Sequence, residues 1–118
     1  MHAFILEDDY LIGQSLQDKL EPLGFTSFRF ARSEDAAVFG ANDGHIDLIT
    51  ADVRLLPGDG LRAVKEISKK RQIPVIFITG HKEELEDRAP GVTVIQKPVD
   101  DEELAAAVRK VLREKQPD

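Results

Sequence analysis

Phe4-Ile5-Leu6 runs straight into Glu7-Asp8, and Leu48-Ile49-Thr50-Ala51 runs straight into Asp52. Further on, Val75-Ile76-Phe77-Ile78 ends at Thr79, and Val92-Thr93-Val94-Ile95-Gln96 meets Lys97-Pro98. Short apolar runs rich in β-branched and aromatic residues read as buried strands. Laid parallel in one sheet, they bring their carboxyl ends to a single edge, where open α/β sheets place their ligands. Two adjacent carboxylates, a lone Asp, a hydroxyl and an ammonium then meet in one pocket. That set suits a divalent cation and a phosphoryl group on Asp52.

Outward from these runs, strand-like and helix-like segments alternate five times. After a first strand over residues 3–6, Leu11, Ile12, Leu16, Leu20 and Leu23 recur at helical spacing, with Gly24 as a stop. Residues 26–30 read as an edge strand, with Phe28 and Phe30 on one face and Ser27 and Arg29 on the other. Ser33 is placed to cap a short helix with Ala36, Ala37 and Phe39 inward. Residues 46–51 form the third strand, and Pro57-Gly58-Asp59-Gly60 is the clearest turn.

The next helix carries Leu61, Val64, Lys65 and Ile67. It ends in Lys69-Lys70-Arg71, cations that complement a helix dipole. Pro74 opens the fourth strand. Residues 82–88 are polar and short, and the charged run 83–87 reads as a solvated face. Asp100 caps a last helix with Leu104, Val108, Val111 and Leu112 inward. Five βα units of this length predict a doubly wound α/β sandwich of three layers. Periodicity does not give the strand order.

The chain of 118 residues has the size of one domain, and its 42% hydrophobic content fits an ordinary core. The absence of Cys excludes a disulfide framework, a thiolate metal site and a Cys nucleophile. A net charge of −6 argues against nucleic acid as a direct partner. No apolar stretch approaches the roughly 20 residues that span a bilayer. Met1-His2-Ala3 enters the first strand at once, without a signal peptide, so a cytoplasmic location is expected. The end of the chain soon after the last apolar pattern predicts a single domain over residues 1–118 with no effector domain.

With Glu7-Asp8, Asp52, Thr79-Gly80 and Lys97-Pro98 in this order, the chain resembles a response-regulator receiver domain over its whole length. The resemblance implies a five-stranded parallel sheet of order 2-1-3-4-5, the flavodoxin-like arrangement. It also implies a phosphorelay role, in which a histidine kinase or histidine phosphotransferase supplies the phosphoryl group to Asp52. Asp8 and Asp52 would hold Mg²⁺ directly and Glu7 through water, and the resemblance adds the backbone carbonyl of Arg54. Lys97 would offset charge on the phosphoryl oxygens, and Thr79 would donate a hydrogen bond to one of them. This is charge stabilisation at preplaced groups. Activity is then limited to Mg²⁺-assisted self-phosphorylation from small donors and slow autodephosphorylation, and the output is a protein contact. The downstream partner stays open, as does the choice between a monomer and a phosphorylation-induced dimer.

The chain departs from the common receiver pattern at Val94, where most members carry Tyr or Phe three residues before the Lys. The segment Pro74-Val75-Ile76-Phe77-Ile78-Thr79-Gly80-His81 resembles instead the subgroup with a Pro-Phe-x-Phe-Ala-Thr-Gly-Tyr signature, associated with the alphaproteobacterial general stress response. Thr79, Gly80, His81 and Val94 are thus the expected switch positions. Only 18 residues separate Thr79 from Lys97, which predicts a shortened fourth helix.

Each landmark has a plain alternative: Asp8 or Asp9 as a helix cap, Asp52 as a loop acid, Lys97-Pro98 as an ordinary turn, Thr79 as a structural residue, His81 as a surface residue. A haloacid-dehalogenase type phosphatase would need Asp-x-Asp after the first strand, where Glu7-Asp8-Asp9 stands. A flavin module would need a Ser/Thr/Gly-rich loop there. A pseudo-receiver, binding partners without phosphorylation, is the remaining alternative.

Overall fold

The computed structural model describes residues 1–115. Its strands are β1 (His2–Leu6), β2 (Ser27–Ala31), β3 (Leu48–Ala51), β4 (Val75–Thr79) and β5 (Val94–Gln96). They pair in parallel in the order β2-β1-β3-β4-β5, the flavodoxin-like order that the resemblance implied. The helices are α1 (Tyr10–Leu20), α2 (Glu34–Gly40), α3 (Gly60–Ser68), α4 (Lys82–Arg88) and α5 (Asp101–Lys115). No helix among the described residues is long and apolar enough to cross a membrane.

Strand alternation sorts the core into two layers. Phe4 and Leu6 of β1 join Ile49, Phe77, Ala37, Leu61, Val64 and Leu85, the side covered by α2, α3 and α4. Ala3 and Ile5 join Leu48, Ile76, Ile78, Leu16, Leu20, Leu104 and Val108, the side covered by α1 and α5. Both faces of the three inner strands are therefore dry, which is why those strands read as continuous apolar runs. β2 lies at the edge, as the alternation of its apolar and polar residues predicted.

Local signals set the ends. Asp9 caps α1 by accepting the Leu11 and Ile12 amides, and Gly24, at φ 103°, closes the 3-10 turn Glu21–Leu23 that follows. Ser33 caps α2, Asp59 caps α3, and Asp100 accepts the Glu103 amide at the start of α5. The segment after Asp52 forms a small antiparallel hairpin, Arg54–Leu55 against Gly58–Asp59. It docks on the start of α2 through Glu34, whose Oε1 accepts the Asp59 amide and the Arg62 guanidinium.

Several expected orientations are overturned. Leu11 is exposed, because Leu16 and Leu20 share the inward face of α1 and position 11 lies half a turn around from Leu20. Ala36 and Phe39 also face solvent, and Ala37 and Ala41 are the buried residues of that segment. With α2 starting at Glu34, positions 37 and 41 share a face and position 39 lies opposite. Within the charged run 83–87, Leu85 is fully buried and anchors α4. Arg71 does not serve the end of α3 alone. Its guanidinium donates to the carbonyls of Ala41 and Gly44, and Arg29 donates to those of Gly40 and Asp43. Arg29 and Arg71 thereby satisfy carbonyls at the end of α2 and in the loop just beyond it. The second strand begins at Ser27, the third at Leu48 and the fifth at Val94, each later than the apolar run suggested.

Candidate functional site

The sheet ladder continues one residue beyond three strands, and those residues carry the acids and the base. The Glu7 amide donates to Ala31 O at 3.0 Å, the Asp52 amide to Leu6 O at 2.9 Å, and the Lys97 amide to Thr79 O at 2.9 Å. Glu7, Asp52 and Lys97 are thus held by backbone bonds rather than by loops. Asp9, not Asp8, takes the helix cap. That leaves the Asp8 carboxylate to the cluster.

Carboxylate oxygens of Glu7, Asp8 and Asp52 lie within 4.8 Å of one another. The Lys97 ammonium reaches Asp52 Oδ2 at 2.7 Å and Glu7 Oε1 at 2.8 Å, and Asp52 Oδ1 accepts the Arg54 amide at 3.3 Å. The side chain of Glu7 is 2% exposed, that of Asp52 10% and that of Lys97 20%, so these charges face each other in a poorly solvated site.

Burial pushes the Glu7 carboxyl above its ordinary range. Asp8 adds to that push, and the Lys97 ammonium and Asp9 amide only partly oppose it. Burial also works against the Lys97 ammonium, but Asp52 and Glu7 outweigh it and raise the group above its ordinary value. Three carboxylates against one ammonium leave negative charge in excess. Hard oxygen donors in this grouping fit Mg²⁺, which is bound by a few carboxylates and keeps several waters.

Thr79 is fully buried at the end of β4, and its Oγ1 accepts the His81 amide at 3.1 Å. Gly80 and His81 are exposed at the entrance to α4. Val94 lies on β5, half-buried against the α2–α3–α4 face and away from the charged cluster. The structure therefore brings together Glu7, Asp8, Asp52 and Lys97, sets Thr79 at the same edge, and leaves His81 and Val94 outside.

Sequence reasoning passed over Gln96. Its side chain bonds Gly80 O and the Lys82 amide, and its only signal was a polar residue between an apolar run and Lys-Pro. It also missed two charge pairs that hold α4, Arg54–Glu84 at 3.0 Å and Arg88–Asp59 at 2.8 Å. Beside the cluster, a groove of about 720 Å³ runs between α1 and the segment joining β5 to α5, lined by Leu11, Ile12, Leu16, Lys97, Pro98 and Val99.

The response regulator receiver domain family model matches residues 3–109. The phyllosphere-induced regulator PhyR of Methylorubrum extorquens is 34% identical over 112 residues, covering 92% of this chain and 42% of that protein. The chain thus spans about half the length or less of such curated relatives. The receiver domain of the Erythrobacter litoralis PhyR response regulator superposes with a TM-score of 0.89 at 27% identity, covering 99% of this chain and 94% of that one. The anti-anti-sigma factor PhyR of Bartonella quintana gives 0.85 at 30% identity, covering 97% and 48%.

Proposed function

The chain belongs to the response regulator receiver domain family, and from that premise we propose that Asp52 accepts a phosphoryl group from a phosphohistidine. The observation that carries this reading is the meeting of the Glu7, Asp8 and Asp52 carboxylates with Lys97, 2.7 Å from Asp52. In the transfer, an Asp52 oxygen forms the new P–O bond as the P–N bond to the donor imidazole breaks, and the nitrogen keeps the electron pair. A carboxylate attacking a phosphoryl group meets like charge. Lys97 offsets part of it, and Thr79 has its hydroxyl proton to donate to a phosphoryl oxygen. Asp8 and Asp52 directly, Glu7 through water and, following the family resemblance, the Arg54 carbonyl would hold Mg²⁺, which would supply further charge compensation on those oxygens. The product is an aspartyl phosphate.

The donor needs a surface that brings its histidine to Asp52. The groove beside Lys97 supports such docking, since exposed Leu11 of α1 lines it and its neighbour Tyr10 is also exposed. A histidine kinase or histidine phosphotransferase is the partner implied. The output is a phosphorylation-dependent protein contact, and likeness to the PhyR regulators supports a place in a general stress response.

The test is intact-protein mass after incubation with acetyl phosphate and Mg²⁺, for wild type and Asp52→Asn. One added phosphoryl group is expected in wild type, absent from the variant and absent without Mg²⁺. No adduct from acetyl phosphate or from a panel of phosphorylated histidine kinases would instead favour a binding module that works unphosphorylated.

A further inference from the structure

α4 does not cap its own start. His81 precedes it with φ −127° and ψ 53°, and the His81 side chain makes no cap bond. Instead the Lys82 amide donates to Gln96 Oε1 at 3.1 Å, and Gln96 Nε2 donates to Gly80 O at 3.0 Å. One carboxamide therefore grips both sides of His81 from the neighbouring strand. Gln96 is the last residue of β5, and the next residue, Lys97, bonds Thr79 O through its amide and Asp52 and Glu7 through its ammonium. Two consecutive residues thus hold the charged cluster and the first turn of α4.

We propose that Gln96 is a positioning residue that transmits a change at the Lys97–Thr79 edge into the first turn of α4. This rests on the reading that Asp52 is phosphorylated. Thr79 Oγ1 accepts the His81 amide, so a shift of that hydroxyl toward a phosphoryl oxygen acts directly on His81. The Gln96 bonds decide whether Gly80, His81 and Lys82 follow as a unit. Val94, two residues earlier, offers no hydrogen-bonding side chain for this task. Gln96 is exposed, so its bonds compete with water and are weak enough to be exchanged during a transition.

The test is hydrogen–deuterium exchange of the whole chain, alone and with acetyl phosphate and Mg²⁺, for wild type, Gln96→Leu and Gln96→Glu. Intact mass is followed in parallel. Without additions, amides in the first turn of α4 are expected to exchange about fivefold faster in Gln96→Leu, the loss of one net hydrogen bond. Gln96→Glu, which keeps only the acceptor facing Lys82, should fall between. Phosphoryl uptake should stay within about twofold of wild type, since Gln96 touches none of the reacting groups. At matched phosphoryl occupancy, the change in exchange over residues 80–88 should shrink severalfold in Gln96→Leu.

An equal change in Gln96→Leu and wild type would overturn the proposal and leave Gln96 a local cap. Unaltered exchange in the untreated variant would overturn the clamp itself. Absence of any adduct in wild type, from acetyl phosphate and from a panel of phosphorylated histidine kinases alike, would overturn the phosphorylation reading, and the untreated samples would still judge the clamp.

Discussion

At Gly60 a β-carbon would fall 1.7 Å from the carbonyl oxygen of Asp52, and the Gly60 amide bonds Val53 O at 2.6 Å. Space, not backbone freedom, requires glycine here. Gly60→Ala must push the Asp52 backbone aside, with an expected loss of about 1–3 kcal/mol or more in urea unfolding and a drop in phosphoryl uptake. Stability within experimental error of wild type would contradict that packing. Thr50, also on β3, is the converse case. Its buried hydroxyl has no hydrogen-bond partner. Thr50→Val keeps the shape and removes the unsatisfied group, so stability should rise by about 1 kcal/mol. A loss instead would reveal a buried water on that hydroxyl. At this scale the sequence was legible in type but not in contact. Asp8 and Asp9 were equivalent candidates for the cap of α1, and only the backbone geometry gave that bond to Asp9.

Among the elements, α4 is the one held chiefly by polar contacts: one buried residue, Leu85, two charge pairs and the Gln96 bonds. Its shortness could be read from the spacing of Thr79 and Lys97. Its anchoring could not, because Arg54 and Asp59 lie well before it in the chain and nothing local marks Gln96, on the strand that follows, as a partner. Burial raises the Asp59 carboxyl, but the Arg88 guanidinium and the Arg62 and Leu61 amides outweigh burial and hold it below its ordinary 3.8. A carboxyl depressed on folding contributes stability that is full above 3.8 and fades as pH falls through the lower folded value. Exchange in α4 should therefore accelerate in that acid window in wild type. Asp59→Asn can still cap α3 but has no charge for Arg88. It should show no acid step, and at neutral pH its α4 should already be looser by about 0.5–1 kcal/mol. An identical acid step in the variant would assign the step to another group.

For the molecule as a whole, alternating apolar runs made the α/β sandwich readable, but strand order came from the family resemblance. Periodicity describes which face is buried and says nothing of neighbours. The site was readable because four strands end in chemically distinct residues. Of the residues of α2 expected inward, Ala37 is buried but Ala36 and Phe39 are not, because apolar character alone does not say which side of so short a helix meets the sheet. The cluster's surplus of carboxylates makes the fold itself responsive to cations. At a Mg²⁺ concentration ten times its Kd, stability should rise by about 1.4 kcal/mol, a shift of several degrees in Tm. Asp8→Asn, which removes one ligand without touching the Lys97 pairs, should lose most of that gain. A gain retained in full would place the cation elsewhere.

Lys97 follows the last strand of the sheet, beyond the exposed turn at Pro90 and Gly91, whereas every acid of the cluster precedes that turn. A nick there would divide the charged cluster as well as the chain. The larger fragment would keep three carboxylates without a counter-ion, and the smaller would carry the lone ammonium on an edge strand with its helix. Reassembly of the two pieces would rebury Ile95, Leu104, Val108 and Val111, and the Lys97 pairs would add a salt-sensitive part for which a divalent metal competes.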